Sequence, residues 1–235
     1  MDIRIFTGGS RKKEDPITKT FLKTILNETL TPLLKTLGLT KYNGEYLWYS
    51  DFNDEGIKFV FKYTLMKGES GLFSWGVCIE DIPTYTQTKE LKNHRTDKST
   101  TLHLWDWPKG YSKSFEGGGR PTDLITHWGE KECRQTINEV FNKYSSEIEL
   151  WYRKASTTAG CLELANGQID KGGAYNVHFP NPKYVLIFLT AKLGDKVKAF
   201  ELLNDLKTKY LSHDSSWEQM FQKLEKQIDL IKKSG

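Results

Sequence analysis

Two runs of alternating side chains constrain this chain most. In the first, Ile57, Phe59, Phe61, Tyr63 and Leu65 alternate with Lys58, Val60, Lys62 and Thr64. In the second, Phe73, Trp75, Val77 and Ile79 recur at every other position. A period of two belongs to a β-strand, whose successive side chains point to opposite faces. The first run therefore predicts one buried and one mostly wet face. Lys67-Gly68-Glu69-Ser70-Gly71 reads as the turn between the runs, and a short aromatic run, Tyr46 to Tyr49, precedes them behind Asn43-Gly44. Runs spaced this closely predict an antiparallel meander. A fourth strand is expected over Thr101 to Trp107, after a polar loop from Pro83 to Ser99 that exceeds most connections lacking structure of their own.

Elsewhere the apolar period is helical. Asp15-Pro16 suits a helix start, because Asp can cap free backbone N–H groups and Pro fits the first helical position. Ile17, Phe21, Ile25 and Leu26 follow at helical spacing, Pro32 is placed to bend or divide the helix, and Gly38 to end it. Beyond the strands, Thr122 or Asp123 is placed to cap a long helix that Ile125 and Trp128 open, either directly or as a separate turn broken at Gly129, and that Ile137, Val140, Phe141, Tyr144, Ile148 and Trp151 continue. A short helix is expected near Cys161 to Ala165. Pro182 fits another start, and Tyr184 to Leu193 is apolar nearly all round. After a turn at Gly194-Asp195 come Val197, Phe200, Leu203, Leu206 and Tyr210. A last helix carries Trp217, Met220, Phe221, Leu224, Ile228 and Ile231, with Ser216 and Gln219 at capping-box spacing. Residues 1 to 14 are polar and read as a mobile N-terminus, with room for a short strand expected at Ile3 to Phe6.

Strands gathered first and helices later imply an α+β fold: an N-terminal helix, an antiparallel sheet of about four strands, then a mostly helical C-terminal half. Residues 15–168 form the expected sheet-containing core. Residues 182–235 form C-terminal helices packed on the same domain, across a stretch rich in Gly, Asn and Pro. The 37% hydrophobic and 27% charged residues fit an ordinary folded protein. No run nears the roughly 18 apolar residues of a membrane span. The start, Met1 to Phe6, lacks the apolar stretch of a signal peptide, and three widely spaced cysteines do not form a disulfide framework, so a cytoplasmic setting is expected.

A net charge of +4 is too mild for nucleic-acid binding. The local surplus is clearest from Lys89 to Arg120, where seven Lys/Arg face four Asp/Glu. Within it lies Gly117-Gly118-Gly119-Arg120. Glycines let a backbone approach a ligand, and Arg120 offers a bidentate contact to phosphate or carboxylate. The Walker ending Gly-Lys-Ser/Thr is missing, and no parallel βαβ unit surrounds the loop. On a strand, His103, Trp105 and Trp107 share one face, a stacking platform with a titratable group. The bland reading of the loop is a flexible surface segment, and that of the strand is a core face with one satisfied His. His94-Arg95, just upstream, is expected to be exposed. The five His and three Cys show none of the close-paired spacings of a zinc site, so no metal or cofactor is assigned. Cys78 and Cys133 read as small core residues.

The order of elements resembles the bacterial domain-of-unknown-function family 4304. Four segments carry the resemblance: Leu33-Leu34-Lys35-Thr36-Leu37-Gly38-Leu39 before an aromatic strand, the alternating strand pair, the helix through Ile137 and Phe141 to Leu150-Trp151, and Tyr184 to Leu203 with Leu189-Thr190-Ala191-Lys192-Leu193-Gly194-Asp195. Each is a packing pattern, so the resemblance implies a fold and a bacterial cytoplasmic setting and supplies no catalytic residue. Two functional expectations follow. The first is a protein-binding module, an inhibitor, immunity or defence-associated partner of another protein, using exposed aromatics or the helical hairpin at Gly194-Asp195. The second is an enzyme or binder of a small anionic ligand, using the Gly117–Arg120 loop together with the His103/Trp105/Trp107 face.

Overall fold

The computed structural model describes residues 15–112, 122–177 and 179–232; the strand expected at Ile3 to Phe6 falls outside them. Helix α1 spans Lys19–Lys35. Its cap is Thr18, whose Oγ1 accepts the Phe21 N–H, rather than Asp15. Pro16 is extended instead and forms an antiparallel bridge with Trp128. Pro32 leaves α1 a single element. It sits in the last turn, where its missing N–H costs one hydrogen bond and little helix follows. Gly38 adopts φ +84° just beyond, the left-handed turn that lets the chain leave the helix.

Then come β1 (Lys41–Tyr42), β2 (Leu47–Tyr49), β3 (Ile57–Met66), β4 (Ser70–Ile79), β5 (Thr84–Tyr85), β6 (Leu91–Lys92) and β7 (Leu104–Asp106). The turn α2 (Lys109–Ser112), the two-residue strand β8 (Ile125–Thr126) and the helices α3 (Glu130–Ala155), α4 (Thr158–Lys171), α5 (Pro182–Lys192), α6 (Lys196–Leu211) and α7 (Glu218–Leu230) complete the order. The expected meander is present and antiparallel, in the order β1-β2-β3-β4-β7. Strands β3 and β4 pair from Ile57↔Ile79 to Met66↔Ser70. The other edge of β4 takes β7 at Trp75 to Val77 and β8 at Ser70 and Gly71. At Gly76 this pairing is tight: an added Cβ would lie 2.2 Å from the Leu104 carbonyl oxygen.

The sheet differs from the sequence reading on its second face. Lys58 and Val60 are wholly buried instead of wet. The Lys58 ammonium lies under the long loop after β4, donates to the carbonyls of Thr96 (3.3 Å) and Asp97 (2.8 Å), and faces the Phe52 ring at 4.2 Å. Burial lowers its pKa. The alternation holds along the strand, but a loop that folds back over a strand leaves no trace in the strand's own period. The fourth strand, Leu104–Asp106, is shorter than expected, and His103 is buried just before it.

The helix expected to start at Thr122 or Asp123 starts at Glu130. Ile125 belongs to β8, and Gly129 at φ +76° makes the corner between strand and helix, a conformation that side chains resist. The helix near Cys161 is longer than expected and spans all of α4. Pro182 does start α5, capped by Asn181, whose Oδ1 accepts the Tyr184 N–H at 3.0 Å. The Ser216/Gln219 capping box is absent. Asp214 caps a short turn at Ser215–Trp217, and α7 follows directly.

Helices α1 and α3 cover the first face of the sheet. The Phe59 and Tyr152 rings stack at 4.6 Å, Phe61 meets Phe141, and Trp75 meets Tyr144. Trp48 donates its Nε1–H to Thr31 Oγ1 at 2.8 Å. One apolar cluster runs from Leu22 of α1 through Phe73 and Trp75 of the sheet to Phe188 of α5 and Phe221 of α7. Polar ties cross the same junction: Lys192 with Asp81 at 2.6 Å, Tyr184 Oη to the Pro83 carbonyl, and Asn53 to the Ser156 carbonyl. Among the described residues, no helix is long and apolar enough to cross a membrane.

Candidate functional site

The residues singled out in the sequence are divided by the fold. His94 is 2% exposed, not on the surface. Its ring sits between the hydroxyls of Thr84 (2.8 Å to Nε2) and Thr101 (3.1 Å to Nδ1), which satisfy both nitrogens and draw the loop inward. Arg95, next to it, is exposed as expected. His103 is equally buried. Its Nδ1 accepts the Ile79 N–H at 2.8 Å, which places the proton on Nε2. The two imidazoles meet edge to face at 5.2 Å. Burial pushes His94 down to about 4, helped by the Lys92 charge, and His103 down to about 3, helped by His94. Both are neutral clips of the long loop, His94 tying two of its threonines together and His103 fastening its end to β4, and both rings are buried.

Trp105 and Trp107 belong to a different neighbourhood. Their rings lie 4.6 Å apart, and Trp107 packs against Tyr175 at 4.8 Å. With Leu72 they form a second small apolar cluster, apart from the main core. Asp106 accepts from the Tyr175 hydroxyl at 3.0 Å, and burial raises its pKa. The Gly117, Gly118, Gly119 and Arg120 loop lies outside the described residues.

A well-formed opening lies elsewhere. A cleft of about 860 Å³ runs over α5 between α4 and α6 and ends at the turn before α7. Leu186, Ile187, Leu202 and Leu206 make an aliphatic floor. They are there because α5 is apolar nearly all round and is the central helix of its group. Its Val185, Phe188 and Leu189 turn into the main core, while Leu186 stays partly open. Tyr210 and Trp217 close one end. Both rings are fixed: Tyr210 receives a hydrogen bond from the Tyr85 hydroxyl at 2.9 Å, and Trp217 lies edge to face with Tyr210 at 5.1 Å and with Tyr85 at 5.4 Å. Lys89 covers Trp217 at 4.9 Å from the ring centre and pairs with Asp214 at 2.9 Å. Asn181, Lys183, Asp205, Lys209 and His213 supply the polar rim.

None of these cleft residues stands out in the sequence. Leu202, Leu206 and Tyr210 share the spacing of ordinary core positions, and Trp217 reads as the opening core residue of the last helix. The one available signal is the polar Lys183 directly after the helix-starting Pro182. It gives no hint of a groove, because the groove is created by the spacing of three helices.

The remaining reactive groups are tied into packing. The Tyr63 hydroxyl meets His127 Nε2 at 2.5 Å in the interior. Cys78, Cys133 and Cys161 are buried free thiols, as the sequence implied for the first two. Burial pushes them up to about 12, about 11 and about 12. Among the described residues, no group of His, Cys, Asp or Glu is arranged to hold a metal ion. No family model, curated protein or solved structure matches the chain.

Proposed function

We propose that this chain is a small-ligand-binding protein whose site is the cleft over α5. One observation carries the reading: about 860 Å³ of space with an aliphatic floor, a fixed aromatic end and a few polar groups on the rim. Pockets for small molecules span roughly 300–1,000 Å³ and combine apolar walls with a small number of orienting polar groups. The burial of His94 and His103 supports placing the site here instead of on the strand face. The bacterial cytoplasmic setting implied by the resemblance to domain-of-unknown-function family 4304 fits a binder of this kind and belongs to the same proposal. A Leu206→Trp substitution fills the cleft from a half-buried position. Dialysis of a small-molecule extract of the host against both proteins, followed by mass spectrometry, should find a compound retained by the wild type and not by the folded variant. Equal retention, or none, contradicts the reading.

A second reading, the protein-binding module, has its own support. Val177 is 80% exposed and Phe179 is 41% exposed. Phe179 packs on Tyr85 at 4.2 Å, which joins it to the aromatic end of the cleft. Exposed apolar side chains such as these two are features of an interface with another protein, whether an inhibitor, immunity or defence partner. A stoichiometric protein partner displaced by Val177→Asp and untouched by Leu206→Trp would favour it.

A further inference from the structure

We propose that the ligand of the cleft is a small organic anion with a flat ring, the ring lying at Tyr210 and Trp217 and the anionic group between Lys183 and Lys209. This rests on the cleft being the binding site. The charges around the cleft are not equivalent. Asp214 is already met by Lys89 and by the Ser216 hydroxyl. Lys183 and Lys209 line the cleft and are exposed, and among the described residues neither is in an ion pair. The two lysines come from neighbouring helix ends, because α5 and α6 are antiparallel about the Gly194-Asp195 turn. The start of one therefore lies beside the finish of the other, next to the aromatic end.

Asn181 adds a directed donor at the same place. It lines the cleft, and its Oδ1 is held by the Tyr184 N–H, which fixes the side-chain amide. Asp205 is the opposing charge, one helical turn before Lys209 and towards Leu202. It makes that end unfavourable to an anion and so directs the anionic group to the lysine end. The aromatic wall supplies the complementary requirement. Two rings already locked by their neighbours lose little freedom when a third ring packs against them, and the aliphatic floor accepts its edge.

The test uses two matched pairs of probes, each an anion and its uncharged counterpart: anilinonaphthalene sulfonate with phenylnaphthylamine, and adenosine monophosphate with adenosine. Calorimetric titrations are run on the wild type, Lys183→Gln/Lys209→Gln and Leu206→Trp. The anion of at least one pair should bind one to one and roughly tenfold more tightly than its neutral partner. That preference should shrink in the double lysine variant and with added salt, and Leu206→Trp should abolish binding of both members. A preference within the first pair alone identifies an aryl anion, and one within the second a nucleotide. Equal affinity within both pairs, or a preference that survives the lysine substitutions, overturns the anion assignment while leaving the cleft in place. Binding that Leu206→Trp leaves untouched overturns both the assignment and the cleft, and so does the absence of binding by every probe.

Discussion

His94 and His103 show how a residue chosen for its chemistry becomes structural. An imidazole takes part in proton transfer only where it can exchange a proton with substrate or water. Both rings are spent on holding the long loop: one between two threonine hydroxyls, the other on the backbone of β4. The consequence is acid sensitivity. In the unfolded chain each ring titrates near 6.5, whereas in the fold they are pushed down to about 4 and about 3. Below pH 6.5 the unfolded chain thus binds more protons than the folded one, and stability falls with pH until the folded rings titrate too. Each ring contributes at most about 1.4 kcal/mol per pH unit in that window. Urea midpoints between pH 7 and 4 should fall, and His94→Gln should flatten the slope. An unchanged slope in the variant would show that the ring is not the group responsible.

At the scale of elements, the sequence was most informative where one period persists. The β3–β4 hairpin, the apolar stripe of α3 and the start of α5 follow from alternation, a 3.6-residue spacing and an Asn-Pro cap. It was least informative where elements are short or positioned by others. The two-residue β8 reads as the opening of a helix because Ile125 and Trp128 match helical spacing, and its partner is fifty-odd residues upstream on β4. The long loop is the other such case. Two-residue strands β5 and β6 close it on itself, His94 pins it, and Lys58 reaches its carbonyls. Lys58 is therefore the tether that the sheet extends to the loop. Lys58→Ala removes the tether and leaves a cavity, at about 2–4 kcal/mol. Lys58→Met keeps the stem and should cost about 1 kcal/mol, since water can reach the exposed Thr96 and Asp97. Hydrogen exchange should show faster opening of residues 91–103 in the alanine variant than in the methionine variant. Wild-type protection of this segment in both variants would place the loop's anchorage elsewhere.

At the scale of the whole molecule, the α+β division organises the candidate site. The sheet and its two covering helices form a body in which Lys58, His94 and His103 are taken up in holding the long loop. The C-terminal helices share its apolar cluster yet leave one concave surface open. That surface was illegible in the sequence for a geometric reason. Leu186, Leu202 and Leu206 carry the same apolar signal whether their helices close together or stand slightly apart, and only the relative placement of α4, α5 and α6 decides between core and cleft. The aromatic end has the same origin. Tyr85 arrives from the loop after the sheet to fix Tyr210 and Trp217, so the loop that His94 and Lys58 anchor also shapes the cleft.

The most direct measurement follows the indole N–H resonances of the seven tryptophans by NMR during titration with anilinonaphthalene sulfonate, with Trp217 assigned through Trp217→Phe. A saturable shift of the Trp217 signal, with those of Trp105 and Trp107 unmoved, is the expected result. Shifts at Trp105 and Trp107 with Trp217 unmoved would contradict it and return the site to the strand.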